Sequence, residues 1–133
     1  MSQGETTQES RRTLRQAYLR GYRFEQNVRR ALQNAGYKVF RCAGSKPCDL
    51  VAIYRDSDRI GVVLIECKVS EKLDPSVVSQ HLYEEFRIPA VCVVDRGRTI
   101  WEWHATIGPP GLPHPAFNML RDALGPIYDI KFL

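Results

Sequence analysis

The chain has 133 residues, 44% of them apolar and 26% charged, with a net charge of +4. That length suits one domain with its own core, expected over residues 9–133 behind a disordered tail at residues 1–8. No run of eighteen apolar residues occurs, which excludes a membrane helix, and the polar opening MSQGETTQESRR lacks a secretory apolar stretch, so the expected address is the cytoplasm, or a host's cytoplasm for a viral source.

Ser10 is placed to N-cap a helix running to Ala35. Leu14, Tyr18, Phe24, Val28, Ala31, Leu32 and Ala35 recur there at three- and four-residue spacing. Gly21 is a point where this helix could bend, and Gly36 suits the left-handed position that ends it. The period then changes. Residues 37–42 read as a short strand, 43–47 as a loop, 49–54 as a second strand, 55–58 as a hairpin turn and 60–69 as a third strand. The unbroken apolar run of the third strand marks it as central, covered on both faces. Asp74 and Pro75 open a second helix that ends near Arg87. Residues 90–94 and 99–104 make a fourth and a fifth strand, followed by a proline-rich loop at 108–115 and a short helix at 116–124. Residues 127–133 read as a last strand or an extended tail. The expected fold is a mixed α/β (α+β) domain, a central mixed five-stranded sheet flanked by helices.

The charge is uneven. Between Met1 and Lys46 ten Lys and Arg face three acids, a net +7, which leaves −3 for the remainder. A basic face of this kind suits a phosphate backbone, and a solvated arginine-rich helix would look the same. Cys42, Cys48, Cys67 and Cys92 form no CxxC pair, and Cys67 and Cys92 sit in apolar strands as small hydrophobes, so neither zinc nor a disulfide framework is expected. His81, His104 and His114 share no ligand spacing and read as structural or surface residues. Trp101 and Trp103 alternate on a strand and read as core or subunit interface, with base stacking the lesser option.

The chemistry is carried by Asp49, Glu66 and Lys68. Two apart on a strand, Glu66 and Lys68 project to one face and interrupt an apolar run. A charge there needs a partner or a metal, and a mutual Glu–Lys pair is the plain alternative. Asp49 and Glu66 lie at equal distances on either side of a turn centred between Ser57 and Asp58, so a hairpin brings them side by side. Adjacent carboxylates repel unless a cation lies between them, and Mg2+ favours one or two carboxylates completed by water and phosphate oxygens, with Mn2+ able to substitute. Lys68 could then orient or deprotonate water, or offset charge on a phosphate.

An Asp, then a strand, then Glu-x-Lys resembles the PD-(D/E)xK nuclease core, here with Pro47-Cys48-Asp49 in place of an adjacent Pro-Asp. Arg20-Gly21-Tyr22-Arg23-Phe24-Glu25, Val28, Leu32, Gly36-Tyr37 and Val39 through Ser45 are similar to the archaeal-type Holliday junction resolvases. That resemblance implies a restriction endonuclease-like fold and a catalytic set of Glu25, Ser45, Asp49, Glu66 and Lys68, with Glu25, Asp49 and Glu66 on the metal. It further implies a phosphodiester endonuclease that cuts a four-way junction symmetrically as a homodimer. Glu25 could alternatively pair with Arg29 one turn on, and Ser45 could be a turn former. Arg12, Arg15, Arg23, Arg30, Arg41 and Lys46 are the expected phosphate contacts. Gln80 could join them, although a solvated helix glutamine reads the same way. The fourth and fifth strands and the C-terminal IYDIKFL are candidate dimer surface. Two rivals stand beside this reading: a restriction-like or repair nuclease cutting other DNA, and a non-catalytic DNA-binding subunit.

Overall fold

The computed structural model describes residues 3–70 and 72–133, with side chains from Arg11 onward. Helix α1 (Gln3–Asn34) is followed by strands β1 (Lys38–Arg41), β2 (Leu50–Asp56) and β3 (Arg59–Val69). Helix α2 (Pro75–Phe86), strands β4 (Ala90–Asp95) and β5 (Glu102–Ile107), helix α3 (His114–Leu124) and strand β6 (Ile127–Phe132) complete the chain. The mixed α/β class is as expected. Among the described residues the sheet has six strands rather than five, in the order β1-β2-β3-β4-β5-β6, because residues 127–132 are a paired strand.

The first helix starts earlier than Ser10. Residues 3–8 of the expected tail already have helical backbone, while Met1 and Ser2 lie outside the described residues. Good helix formers such as Glu5, Gln8 and Glu9 favour that extension. Gly21 does not divide the helix. Gly36 takes φ +110°, and the amides of Ala35, Gly36 and Tyr37 bond back to Ala31, Gln33 and Leu32, closing the helix where a left-handed glycine was expected. At α2, Asp74 accepts from the Ser76 amide at 3.1 Å and Pro75 opens the helix.

Strands β1, β2 and β3 form an antiparallel meander, β3 and β4 are parallel, β4 and β5 antiparallel, and β5 and β6 parallel. Each parallel pair needs a crossover, and α2 and α3 supply them. Because β5 runs opposite to β3, right-handed crossovers put the two helices on opposite faces. Accordingly α2 closes a small core of Cys48, Leu64, Leu82, Tyr83 and Ala90. On the other face α1 and α3 close the main core, where Val28, Leu32, Leu120 and Trp103 are fully buried against Leu50, Val63 and Ile65.

Three expectations are corrected here. The fifth strand spans 102–107, three residues later than the reading at 99–104, because the turn includes Gly97 at φ +78° and Val93 pairs with Trp103. Leu14 and Tyr18, at apolar helical spacing, are 71% and 66% exposed, and every residue from 11 to 20 is exposed as well. Trp103 is buried in the core and Trp101 packs edge-on against Phe24 at 5.3 Å. Strand β4 and most of β5 are likewise buried within this chain, which removes them as a dimer surface, whereas β6 leaves Ile127, Tyr128 and Phe132 exposed. No described helix is long and apolar enough to cross a membrane.

Candidate active site

The β2–β3 hairpin turns at Ser57 and Asp58 and pairs Leu50 with Ile65, the register anticipated from the symmetric placement of Asp49 and Glu66. One residue further out, the Asp49 amide donates to Glu66 Oε1 at 3.0 Å, and the Cys67 amide donates to Asp49 Oδ2 at 2.8 Å. The two carboxylates are thus clamped side by side, Glu66 by the backbone of Asp49 and Asp49 by the backbone of Cys67. The base of this arrangement is held from behind. The Cys42 amide donates to the Asp49 carbonyl at 3.0 Å, and the buried Cys48 thiol donates to the Leu50 carbonyl at 3.1 Å. Burial pushes the Cys48 thiol up to about 12, so it stays a neutral small hydrophobe at neutral pH.

Asp49 is 8% exposed and Glu25 is 7% exposed. Lys68 Nζ lies 3.5 Å from Glu66 Oε2, the Glu–Lys pair foreseen as the plain alternative. Yet that pair does not neutralise the site. Burial first, and the charge of Asp49 second, raise the Glu66 carboxyl above its ordinary value, with Lys68 only partly opposing them. Two nearly buried carboxylates with one half-exposed lysine leave a deficit of positive charge. A divalent cation would remove it, and the donor set of Asp49 and Glu66 fits Mg2+ or Mn2+.

Glu25, on α1, is placed differently. It pairs with Arg41 of β1 at 2.7 Å rather than with Arg29, and the Arg41 guanidinium lies 5.1 Å from the centre of the Tyr22 ring. Glu25 lines the same cleft as Asp49 and Glu66, but among the described residues no three His, Cys, Asp or Glu side chains converge closely enough to hold one ion. Two of the three expected metal ligands are therefore brought together, and the third is engaged by an arginine. Ser45 lines the cleft as well, in a short 3-10 turn at Ala43–Ser45, with Ala17, Tyr18, Gly21, Tyr22, Arg41, Cys67 and Lys68 completing the walls.

Arg12, Arg15, Arg23 and Arg30 are exposed along α1, and Lys46 is exposed on the loop before β2. Gln80 does not reach the cleft. Its amide donates to Glu84 at 2.9 Å and its carbonyl accepts from Lys131, which ties it to the β6 side of the sheet. Sequence reading missed Tyr18 and Tyr22 as cleft residues. The signal was present: Tyr18, Tyr22 and Glu25 are spaced four and three apart, hence on one helix face.

Comparison with known proteins supplies a family. The sequence model of the archaeal Holliday junction resolvase (Hjc) family matches residues 16–85. A curated relative, the crossover junction endodeoxyribonuclease Hjc of Methanocaldococcus jannaschii, is 45% identical over 60 residues, covering 44% of this chain. The chain spans 41% of the length of that relative. The solved structure of Hjc from Archaeoglobus fulgidus, a Holliday junction resolvase from an archaeal hyperthermophile, is similar at a TM-score of 0.46 and 27% identity, over 63% of this chain and 70% of that one. The family match takes in just over half of the chain, from the outer turns of the helix that bears Glu25 to the end of α2 beyond Lys68, and the chain belongs to the archaeal Holliday junction resolvase family.

Proposed function

We propose that this chain is a metal-dependent endonuclease that resolves four-way DNA junctions by paired, symmetric phosphodiester hydrolysis. The observation that carries the reading is the clamped pair of Asp49 and Glu66 beside Lys68, at the foot of an open cleft rimmed by basic residues. The open end of an apolar hairpin gains no stability from two adjacent carboxylates whose charges oppose each other. The names of the family and of the curated relative support junction DNA as the substrate.

In this reading Asp49 and Glu66 would hold Mg2+, or Mn2+ in its place, and Glu25, held by Arg41, would act through that ion's water. When bound, the ion supplies Lewis-acid polarisation of the scissile phosphate and relief of the carboxylate repulsion. Lys68 orients the attacking water and offsets charge developing on the phosphate. The water oxygen bonds to phosphorus, the bond from phosphorus to the 3′ oxygen breaks, and the products are a 5′-phosphate and a 3′-hydroxyl. Ser45, Arg41 and Lys46 contact the phosphates next to the cut, and Arg12, Arg15, Arg23 and Arg30 contact the backbone further along. A junction with two-fold symmetry calls for two active sites, which a homodimer supplies. The exposed edge strand β6 is our candidate for the contact between copies. We place the protein in the cytoplasm with its DNA, or in a host's cytoplasm for a viral source.

The test is cleavage of a labelled four-way junction and its matching linear duplex in Mg2+, for the parent and for Glu66→Ala. Paired cuts in the junction alone, absent in the variant, are expected. Equal cutting of the duplex would replace the junction with other DNA as substrate. Tight binding with no cleavage of either would make the chain a non-catalytic DNA-binding subunit.

A further inference from the structure

The walls of the cleft hold a feature that metal-assisted hydrolysis does not use. Tyr18 and Tyr22 both line it, and they are 66% and 40% exposed. Their rings are stacked, with centroids 6.5 Å apart and planes inclined at 18°. A pair of tyrosines one helical turn apart meets in this way on any helix, so the stack itself needs no special cause. Its position does. Tyr22 also carries the Arg41 guanidinium on its ring, and Arg41 in turn holds Glu25. A continuous ladder therefore leads from the catalytic carboxylates outward through Arg41 and Tyr22 to Tyr18. Beside it, at Gly21, a Cβ would meet nothing within 4 Å, so the floor of the cleft next to the rings is open. Arg11 and Arg15 continue the same helix face further out, and both are exposed.

Two large apolar rings left facing water are costly unless something covers them, and the surroundings indicate what does. The ladder lies between the hydrolytic site and exposed arginines, so its occupant brings phosphates on both sides and a flat apolar face in the middle. A nucleotide has that composition. In continuous duplex each base has both faces covered by its neighbours. Where the arms of a branch point are held apart and not coaxially stacked, the last base of an arm has an uncovered face that it can offer to an aromatic ring.

We propose that Tyr18, positioned by Tyr22 and Arg41, is a stacking platform for an unstacked base at the branch point next to the scissile phosphate, and that it contributes to choosing junctions over duplex. The inference rests on the junction reading given above. It goes beyond that reading in assigning substrate selection to an aromatic side chain on α1.

The experiment uses the full chain with Glu66→Gln as a non-cleaving background. Dissociation constants are measured by fluorescence anisotropy for a four-way junction and for its duplex arm, with Tyr18, Tyr18→Phe, Tyr18→Trp and Tyr18→Ala. Base-to-ring stacking predicts a loss of junction affinity of roughly 5- to 100-fold for Tyr18→Ala, retention in Tyr18→Phe and Tyr18→Trp, and duplex affinity unchanged within about twofold. A 2-aminopurine placed beside the branch point should be quenched on binding with Tyr18 and not with Tyr18→Ala. Equal losses on both DNAs, or none on either, would overturn the platform while leaving the junction reading intact. A parent protein that binds both DNAs alike would overturn the two together. If Tyr18→Ala dissociates a dimer in sedimentation and leaves the junction-to-duplex ratio unchanged, a second copy covers the ring and the platform is likewise overturned.

Discussion

Two strand–helix–strand crossovers of the same kind among the described residues, β3-α2-β4 and β5-α3-β6, have been put to opposite uses. In the first, the outgoing strand ends in Glu66 and Lys68, exposed enough to meet solvent and lying against Asp49. In the second, the corresponding strand is filled with Trp103, Ala105 and Ile107, all buried, and its helix buries Ala116, Leu120 and Leu124 against α1. Trp103 is tied in further by its indole N–H, which donates to the Gly125 carbonyl at 2.8 Å, and by stacking on Tyr128 at 5.0 Å. The same topology hosts charge where a strand end opens to a cleft and apolar bulk where it is covered. The unfavourable electrostatics of one crossover are tolerated because the other supplies apolar burial.

Variants can pull these roles apart. The largest effect is expected from Glu66→Gln, which should lower junction cleavage on the order of 10³-fold or more by removing a proposed metal ligand. The same variant should raise the melting temperature of metal-free protein at neutral pH. The folded-state carboxyl lies above its ordinary value of 4.5, so ionising it disfavours the fold at neutral pH, and the gain should vanish as pH falls below 4.5. Cleavage lost together with stability would mean that Glu66 is a structural partner of Lys68 instead. Chelation of Mg2+ should likewise stop cleavage of the junction and leave its binding measurable in a gel-shift assay.

In the second crossover Trp103→Ala should cost about 3–5 kcal/mol in denaturant unfolding, the usual penalty for a fully buried tryptophan. Folded enzyme at low temperature should still cleave. If cleavage fails in fully folded protein, the two crossovers are coupled and not separable. A smaller effect is expected from Arg12→Ala with Arg15→Ala. Junction affinity should fall, and its slope against salt should become shallower by about 0.9 for each phosphate that is no longer neutralised. An unchanged slope would mean that these exposed arginines do not touch DNA.

The smallest effect concerns the brace between the crossovers. Glu102 accepts from Arg96 at 2.8 Å and pairs with His104 at 2.8 Å, and Arg96 also holds the Ser70 and Leu73 carbonyls of the loop after β3. Hydrogen bonds from His104 first and Arg96 second hold the Glu102 carboxyl below its ordinary value of 4.5. Its contribution is present above that value and is lost as pH falls through the lowered one. Glu102→Gln should therefore cost under about 1 kcal/mol at pH 7, discounted for solvent screening, and nothing in strong acid. A loss that persists in acid would point to packing in place of charge.

Much of the site could be read before the fold was known, for local reasons. Asp49, Glu66 and Lys68 belong to one hairpin, where alternation and a tight turn set the register, and that register is observed. The helix cap at Asp74 and the stop at Gly36 depend on neighbours within four residues. Failures came where distant chain segments decide. Leu14 and Tyr18 have core periodicity, but no distant segment covers them and both are left exposed. Glu25 had Arg29 one turn away, and β1 brought Arg41 instead. Gln80 was weighed as a site residue, and the sixth strand supplied Lys131 as its partner. The amino-acid sequence by itself determined the hairpin, its carboxylate pair, the stop of α1 at Gly36 and the cap of α2 at Asp74, because those follow from short-range sterics and alternation. The tertiary structure alone decided which helix face is covered, which cation each carboxylate meets and where the sheet stops, because those depend on which long-range partner arrives.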